Sequence, residues 1–144
     1  MSEKSVSTVI IDAPLADVQA ALFEIAAYPE WLSSIKKADV IERDGENRVI
    51  KAKLAIDAGM MKDRVTLDYD WSAAPASLSF SLDDADLLTQ MDGTYSLKAI
   101  DADSTEVTYE LTVAVGMPVP AMMITKAQKQ TIDAALKELA ERVA

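Results

Sequence analysis

The sequence contains no cysteine and no histidine among its 144 residues. Without cysteine, the chain has no disulfide bond, no thiolate metal ligand and no cysteine nucleophile. Without histidine, it lacks the commonest general base and the commonest transition-metal ligand. Any catalysis must therefore depend on carboxylate, hydroxyl, phenol, lysine or arginine side chains.

Basic residues are scarce as well. The chain has 14 Lys and Arg residues against 24 Asp and Glu residues, which gives a formal net charge of -10. A negative charge of this size opposes binding to phosphate backbones and to anionic lipid headgroups. We therefore expect no nucleic-acid partner, and we interpret the acidity as a source of solubility.

Long apolar runs are also missing. Hydrophobic residues make up 50% of the chain, yet no run approaches the roughly 20 apolar residues that a membrane span requires. The first residues, Met1-Ser2-Glu3-Lys4, do not resemble the apolar segment of a signal peptide. We find no internal repeat, linker or low-complexity tract. The expectation is one cytoplasmic domain, residues 1–144, with room for a core and a cavity and without stable membrane insertion.

The longest regular pattern is an amphipathic helix at the end of the sequence. Pro118 and Pro120 cannot lie inside a helix, so a helix is predicted to begin near Val119 or Pro120, with a proline in its first turn, and to run to Val143. Its inward stripe is predicted to contain Ile124, Gln128, Ile132, Ala135 or Leu136, Leu139 and Val143. The second half of this stripe is branched and apolar, whereas the first half is small or polar and includes Thr125, Gln128 and Thr131. The change predicts a cavity beneath the first half, although half-exposed surface would give the same pattern.

The first part of the chain predicts one strand and two short helices. Residues 5–11 are rich in β-branched side chains and predict the strand. Pro14 suits the first turn of a helix, and the pair Tyr28-Pro29 predicts its end, because a residue before proline avoids helical backbone angles. A second short helix is predicted over residues 30–34.

From residue 36 onward the sequence predicts six strands joined by short turns. Asp44-Gly45 is a hairpin signal between strands at 38–43 and 48–57. A turn at 57–60 leads to a strand at 62–71, and a serine-alternating strand follows at 77–82. Residues 83–86 read as an acidic turn without the spaced ligands of a calcium loop, so no metal site is predicted. The longest strands are predicted at 88–100 and 105–115.

The last two strands are predicted to face each other through matched inward residues: Met91, Gly93, Tyr95 and Leu97 against Val107, Tyr109, Leu111 and Val113. Asp92 and Glu110 alternate with these residues and should face water. Gly93 inside a strand predicts a bend or bulge. Since short turns join antiparallel strands, the pattern predicts an α+β fold, with the long helix in the concave side of a curled sheet.

The candidate ligand-binding residues are aromatic and flexible apolar side chains together with one amide: Tyr28, Tyr69, Trp71, Phe80, Met91, Tyr95, Tyr109, Met117, Met122 and Gln128. Ligand sites are concave and mostly apolar, with few polar groups. Met117 and Met122, together with Met123, are expected at the entrance, where unbranched thioethers adapt to irregular partners. Trp31 is a weaker candidate. Each residue alone fits ordinary core packing, but together they predict a pocket, because one helix cannot cover the inward area of such a sheet.

Several stretches carry a resemblance to a known family: residues 11–18, the sequence Tyr28-Pro29-Glu30-Trp31, and residues 93–97 and 105–111. With the order of elements, they resemble the polyketide cyclase/dehydrase-like branch of the START and Bet v 1 (SRPBCC) superfamily over nearly the whole chain. The resemblance implies a helix-grip fold. This is a curved seven-stranded antiparallel sheet wrapped around the C-terminal helix, with two short helices between the first two strands and a deep apolar cavity.

Members of this superfamily include lipid and sterol carriers, quinone-binding proteins, plant hormone-binding proteins and aromatase/cyclases, so the fold leaves the function open. The favoured expectation is a carrier or sensor that binds a hydrophobic small molecule, lipid-like, aromatic or polyketide-like. It needs no cofactor and acts as a monomer or small homo-oligomer. A third possibility is a module that binds another protein through its outer face or its long helix.

The alternative from the enzyme class is a polyketide cyclase or dehydratase that uses Tyr95 and Tyr109. The resemblance places Tyr28 where such enzymes carry an aromatic residue after the first helix, and Tyr95 and Tyr109 on the corresponding late strands. It also implies arginine and histidine in the pocket, whereas this chain has no histidine and Arg64 is predicted to face outward. We therefore expect binding rather than catalysis.

Overall fold

The computed structural model describes residues 4–57 and 62–143. The chain begins with strand β1 (Ser5–Ile11), helix α1 (Leu15–Phe23) and a short 3-10 helix (Ile25–Glu30). Six strands follow: β2 (Ile35–Arg43), β3 (Val49–Asp57), β4 (Lys62–Asp70), β5 (Ser77–Ala85), β6 (Leu88–Asp101) and β7 (Ser104–Val115). Helix α2 (Ala121–Val143) is the last element. The predicted order of elements is confirmed.

The seven strands form one antiparallel sheet in the order β1-β7-β6-β5-β4-β3-β2. β1 and β2 lie at opposite edges, because α1 and the 3-10 helix carry the chain from one edge to the other. Helix α2 packs against β1, β7 and α1. The predicted α+β class and the helix-grip arrangement are confirmed.

Helix α2 begins at Ala121, within two residues of the predicted start near Val119 or Pro120. Its buried residues are Gln128, Ile132, Ala135, Leu136 and Leu139. Ile124 and Val143, at the two ends of the predicted stripe, are only partly buried, and Thr125 is exposed. The helix is therefore anchored by its middle and second half, as the distribution of branched side chains predicts.

The second short helix predicted at residues 30–34 is wrong. The structure has instead a 3-10 helix that begins at Ile25 and contains both Tyr28 and Pro29. A proline removes one backbone donor, and a short 3-10 segment needs few such donors. The chain then turns through hydrogen bonds from the backbone N–H groups of Trp31 and Leu32 to the carbonyl of Tyr28, at 3.2 and 2.8 Å.

The acidic turn predicted at residues 83–86 is largely strand, because β5 continues to Ala85. Asp83 falls at a register shift between β4 and β5, and its carboxylate pairs with Lys51 at 3.2 Å. The turn itself is held by Asp63, whose carboxylate accepts hydrogen bonds from the backbone N–H groups of Asp86, Leu87 and Leu88. A carboxylate from a neighbouring strand thus replaces the turn residues that local sequence would supply.

Gly93 does not mark a β-bulge in β6. It pairs with Phe80 on one side and Leu111 on the other, and no register shift falls at this position. A β-carbon on Gly93 would overlap the ring of Phe80. Glycine is therefore needed because an aromatic ring lies over the backbone here, and the predicted bulge is wrong.

The matched inward residues of β6 and β7 are confirmed. Met91 pairs with Val113, and Tyr95 pairs with Tyr109. The alternating acids face outward as predicted: Asp92 is exposed, and Glu110 pairs with Lys4 at 3.1 Å. The turn predicted at residues 57–60 lies, apart from Asp57, outside the described residues. Helices in the described ranges are all too short or too polar to cross a membrane.

Candidate ligand-binding cavity

A small cavity lies between the sheet and α2. Its volume is about 50 Å³, and side chains from the 3-10 helix, from β2 to β7 and from α2 line it. The predicted site residues that line it are Tyr28, Tyr69, Phe80, Met91, Tyr95 and Tyr109. We call this space the tyrosine cavity, because the chain has 4 tyrosines and all of them line it.

The remaining lining residues are aliphatic, apart from Ser34 and Thr131. Both are partly exposed, whereas the other lining residues are buried. Thr131 donates a hydrogen bond to the carbonyl of Ala127 at 2.8 Å, within its own helix. The cavity therefore comes closest to the surface between the segment after the 3-10 helix and the middle of α2.

Tyr28 reaches the cavity through the local geometry of the first helix. Helix α1 ends at Phe23, so the carbonyl of Leu22 has no partner in a further helical turn. The Tyr28 hydroxyl donates a hydrogen bond to that carbonyl at 2.5 Å. Burial raises the pKa of Tyr28 well above its usual value, and the nearby Tyr69 and Tyr109 add to this rise.

The other aromatic residues form a row across four neighbouring strands. Tyr69 on β4 pairs with Phe80 on β5, with ring centroids 5.9 Å apart. Phe80 lies over Gly93 on β6 and contacts Tyr109 on β7 at a centroid distance of 6.5 Å. Tyr95 and Tyr109 are directly paired and stacked, with centroids 4.0 Å apart. Alternation along each strand places all these rings on the inner face.

All the tyrosine hydroxyls are protonated at neutral pH. Burial is the main cause that raises the pKa of Tyr69, Tyr95 and Tyr109, and the other tyrosines nearby add to the rise for Tyr69 and Tyr95. For Tyr109, the neighbouring hydroxyl of Tyr95 partly offsets the rise in pKa. Phenols in this state donate hydrogen bonds and are poor bases. The cavity thus offers donors in an otherwise apolar surface.

Trp71 lies apart from this cavity. Its indole N–H donates a hydrogen bond to the carbonyl of Val49 at 2.7 Å, and its ring packs edge-on against Phe23 at 5.2 Å. The guanidinium of Arg48 lies 5.5 Å from the centre of the same ring. Trp71 faces inward as the strand alternation predicts, but it stands beyond the end of β4, in a separate surface groove.

Met117 lines a second space, and Met122 lines neither. A groove of about 230 Å³ lies where the first turn of α2 meets the ends of β6 and β7, and we call it the methionine groove because Met117 and Met123 line it. Met122 is 81% exposed. Of the three methionines predicted at an entrance, the structure therefore places Met117 and Met123 beside an opening and Met122 away from it.

Gln128 lies between the two spaces without lining either of them. Its side-chain carbonyl accepts a hydrogen bond from the backbone N–H of Val113 at 2.7 Å. Its amide group donates to the hydroxyl of Ser5 at 2.8 Å. The buried amide thus joins α2 to β7 and β1, which explains a polar residue on the inward stripe. Trp31, the weaker candidate, packs edge-on against Tyr28 from outside the cavity at 5.5 Å.

Sequence reasoning missed Ser34 and Leu32 as lining residues. Both follow the 3-10 helix in a segment without regular secondary structure, so no periodicity could assign them a direction. Ala135, also a lining residue, was expected only as part of the packed stripe of α2. Its small side chain at a buried position is the one signal that could have indicated open space beside it.

Comparison with known families identifies one match. The family model described as "Polyketide cyclase / dehydrase and lipid transport" matches residues 2–144. Comparison with curated proteins gives no match.

Several solved structures share the fold. A START superfamily protein from Mycobacterium smegmatis is 24% identical, with a TM-score of 0.92 and coverage of 97% of this chain and 96% of that chain. The Zhui aromatase/cyclase from Streptomyces sp. R1128 is 16% identical, with a TM-score of 0.79 and coverage of 98% and 93%. The ginseng major latex-like protein 151 from Panax ginseng is 10% identical, with a TM-score of 0.73 and coverage of 98% and 97%.

Proposed function

Because the chain belongs to the polyketide cyclase/dehydrase and lipid transport family, we propose that it binds a hydrophobic small molecule as a carrier or sensor. The ligand would be lipid-like, aromatic or polyketide-like and would occupy the tyrosine cavity. The family and the fold support hydrophobic ligand binding in general terms. The choice of carrier or sensor rests on this chain's own residues.

One observation carries the proposal: all 4 tyrosines of the chain converge on one apolar cavity. A buried tyrosine hydroxyl usually finds a hydrogen-bond partner, as Tyr28 does in the backbone carbonyl of Leu22. Three of the four have no such backbone partner among the described residues. Polar groups grouped in an apolar concavity are typical of small-molecule sites.

The cavity must enlarge to admit such a ligand. A space of about 50 Å³ is far below the several hundred Å³ of ordinary ligand pockets. Met91 is a flexible unbranched side chain on the cavity wall, and it can move with little rotameric cost. We propose that Met91 and the middle of α2 shift when the ligand enters. Ser34 and Thr131 are the partly exposed lining residues, so the ligand would enter beside the middle of α2.

The second candidate function is a polyketide cyclase or dehydratase in which Tyr95 and Tyr109 act as acids. The stacked pair, with centroids 4.0 Å apart, favours it. The described lining residues, however, include no aspartate, glutamate, lysine or arginine that could serve as the base. A search for turnover of poly-keto substrates tests it: turnover that falls in Tyr95→Phe and Tyr109→Phe would support it.

Binding is tested with N-phenyl-1-naphthylamine, a neutral dye whose fluorescence increases in apolar sites, together with native mass spectrometry of the purified protein. Ala135→Leu adds bulk at the cavity wall, whereas Ala134→Leu adds the same bulk at an exposed position of the same helix. We expect Ala135→Leu to weaken dye binding at least about tenfold and Ala134→Leu to leave it unchanged. Equal affinity in all three proteins would place the dye elsewhere and contradict the proposal.

We further propose that residues 1–144 form one cytoplasmic domain that acts as a monomer or small homo-oligomer. Size-exclusion chromatography of cell extract tests this assignment. Migration in a large complex would instead favour a module that binds another protein through its outer face or through α2.

A further inference from the structure

The described residues that line the tyrosine cavity carry no charge. They are aromatic or aliphatic, apart from the hydroxyl groups of the tyrosines, Ser34 and Thr131. The nearest acids in the sequence of the inner strands, Asp92 and Glu110, face outward, and Arg64 on β4 is exposed and pairs with Asp86 at 3.4 Å. A ligand in this cavity would therefore meet no counter-ion.

The tyrosine hydroxyls differ in how far the protein itself uses them. Tyr28 is committed to the carbonyl of Leu22. The hydroxyls of Tyr95 and Tyr109 lie close enough for each to change the pKa of the other. Tyr69 is only 7% exposed, yet its hydroxyl has no hydrogen-bond partner among residues 4–57 and 62–143.

The hydroxyl oxygen of Tyr69 is not completely enclosed by the protein. Within the described residues, every completely buried side-chain nitrogen or oxygen has a hydrogen-bond partner. Because the Tyr69 oxygen has no such partner, it must have access to open space. A buried phenol with access to open space, on the wall of a cavity, is a donor available to a guest molecule. Its pKa is raised by burial, so the proton remains on the oxygen at neutral pH.

Two physical arguments then restrict the ligand. An ionised group moved from water into an apolar space is strongly disfavoured unless an opposite charge compensates it, and this cavity offers none. A cavity with an unpaired donor also disfavours a pure hydrocarbon, because such a guest leaves that donor without a hydrogen bond.

Building on the proposed function, we propose that the ligand is an uncharged, largely apolar molecule with a hydrogen-bond-accepting oxygen, such as a carbonyl, and that Tyr69 donates to that oxygen. This inference excludes ionised fatty acids and other carboxylates as ligands. It names a chemical class and a recognition residue, which hydrophobic binding alone does not specify.

Three molecules of nearly the same shape test the proposal: acetophenone, isopropylbenzene and benzoate. They carry a ketone, a hydrocarbon branch and a carboxylate on the same ring. Each is used to displace N-phenyl-1-naphthylamine from the wild-type protein near neutral pH. We expect acetophenone to bind about five- to tenfold more tightly than isopropylbenzene, and benzoate to bind at least about a hundredfold more weakly than acetophenone.

The Tyr69→Phe variant then assigns the donor. It should lower the affinity for acetophenone to that for isopropylbenzene, while the affinity for isopropylbenzene stays as in the wild type. A general disturbance of the fold would instead weaken the binding of both molecules, so isopropylbenzene is an internal control.

The outcomes separate this inference from the proposed function. Equal binding of benzoate and acetophenone, or of isopropylbenzene and acetophenone, overturns the neutral-acceptor class. A ketone preference that survives in Tyr69→Phe overturns the role of Tyr69. If the dye binds in the cavity but none of the three molecules displaces it, this inference fails and the proposed function stands. If the dye itself does not bind, the proposed function fails as well.

Discussion

A ligand site needs hydrogen-bond donors and open space, and the tyrosine cavity and the methionine groove each have one of these two features. The cavity has a volume of about 50 Å³ and holds the hydrogen-bond donors, whereas the groove has a volume of about 230 Å³ and is lined mostly by aliphatic and methionine side chains. Donors that are held in place by stacking and burial give specificity, and exposed flexible thioethers give adaptable contact. In this chain the space and the chemistry therefore lie in different places.

Two paired residues of β6 and β7 form a wall between the two regions. Met91 lines the cavity, and its strand partner Val113 lines the groove. The side-chain carbonyl of Gln128 on α2 accepts a hydrogen bond from the backbone N–H of Val113 and so holds Val113 in place. We expect the cavity to gain volume from the groove by movement of a few side chains, without refolding of the sheet.

The largest expected effect that separates the two regions is the response to alkaline pH. The pKa of each of the four tyrosines of the cavity is raised from 10.0, chiefly by burial, and no tyrosine lines the groove. A raised pKa favours the folded state below pH 10, and this contribution is lost as the pH rises further. Each tyrosine contributes roughly 1.4 kcal/mol per pH unit, so the free energy of unfolding should fall by about 5 kcal/mol per unit above about pH 10.

Urea unfolding between about pH 9 and about pH 11, together with tyrosinate absorbance, measures this effect. Absorbance should appear only as the protein unfolds, and Tyr69→Phe should reduce the slope by about a quarter. Gradual ionisation of tyrosines in the folded protein near pH 10 would contradict the rise in their pKa on burial.

The second prediction concerns Gly93, which lies under the ring of Phe80 at the wall of the tyrosine cavity. Gly93→Ala should lower the free energy of unfolding by up to about 3 kcal/mol, because the added β-carbon overlaps the buried ring of Phe80. Gly45→Ala is the matched control, since a β-carbon there has no neighbour within 4 Å. Denaturant unfolding of both variants gives the comparison.

A second substitution tests the cause. Phe80→Leu in the Gly93→Ala background should restore part of the lost stability, because it removes the ring that the methyl group overlaps. If the double variant is less stable than the sum of the single changes, backbone strain in β6 would be the better explanation.

Gly93 shows which part of the site could be predicted from the sequence. The glycine inside a strand predicted a bend or bulge, and the sequence could not show that a ring lies over it, because Phe80 reaches Gly93 only through the pairing of β5 with β6. The same limit applies to Gln128, whose partners are 15 and 123 residues away. Alternation and helical periodicity fix the face on which a residue lies, not its neighbour across that face.

The fold was largely predictable because nearly every element carries a strong period. Six of the ten expected site residues line the tyrosine cavity for the same reason. Trp71 follows the correct alternation but lies past the end of β4, and Met122 lies in the exposed first turn of α2. Positions beyond the end of a strand or at the start of a helix depend on tertiary packing that periodicity does not record.

The third prediction concerns the wall between the two regions. Gln128→Leu should lower the free energy of unfolding by about 2 kcal/mol, because the backbone N–H of Val113 would be buried without its partner. Gln130→Leu is the control, since Gln130 is exposed two residues further along α2. Denaturant unfolding measures the loss, and hydrogen exchange at the Val113 amide should become faster in Gln128→Leu only. Unchanged exchange there would show that the amide does not hold the wall.

The smallest expected effect separates two hydroxyl groups within the cavity itself. Tyr28→Phe should lower the free energy of unfolding by about 1 kcal/mol, because the carbonyl of Leu22 loses its donor at a fully buried position. Tyr69→Phe should change it by less than about 0.5 kcal/mol, because the Tyr69 hydroxyl has no protein partner to lose among the described residues. Paired urea titrations of the two variants resolve the difference. Equal losses would mean that Tyr69 is already committed to the protein, and no free donor would then remain to recognise a ligand oxygen.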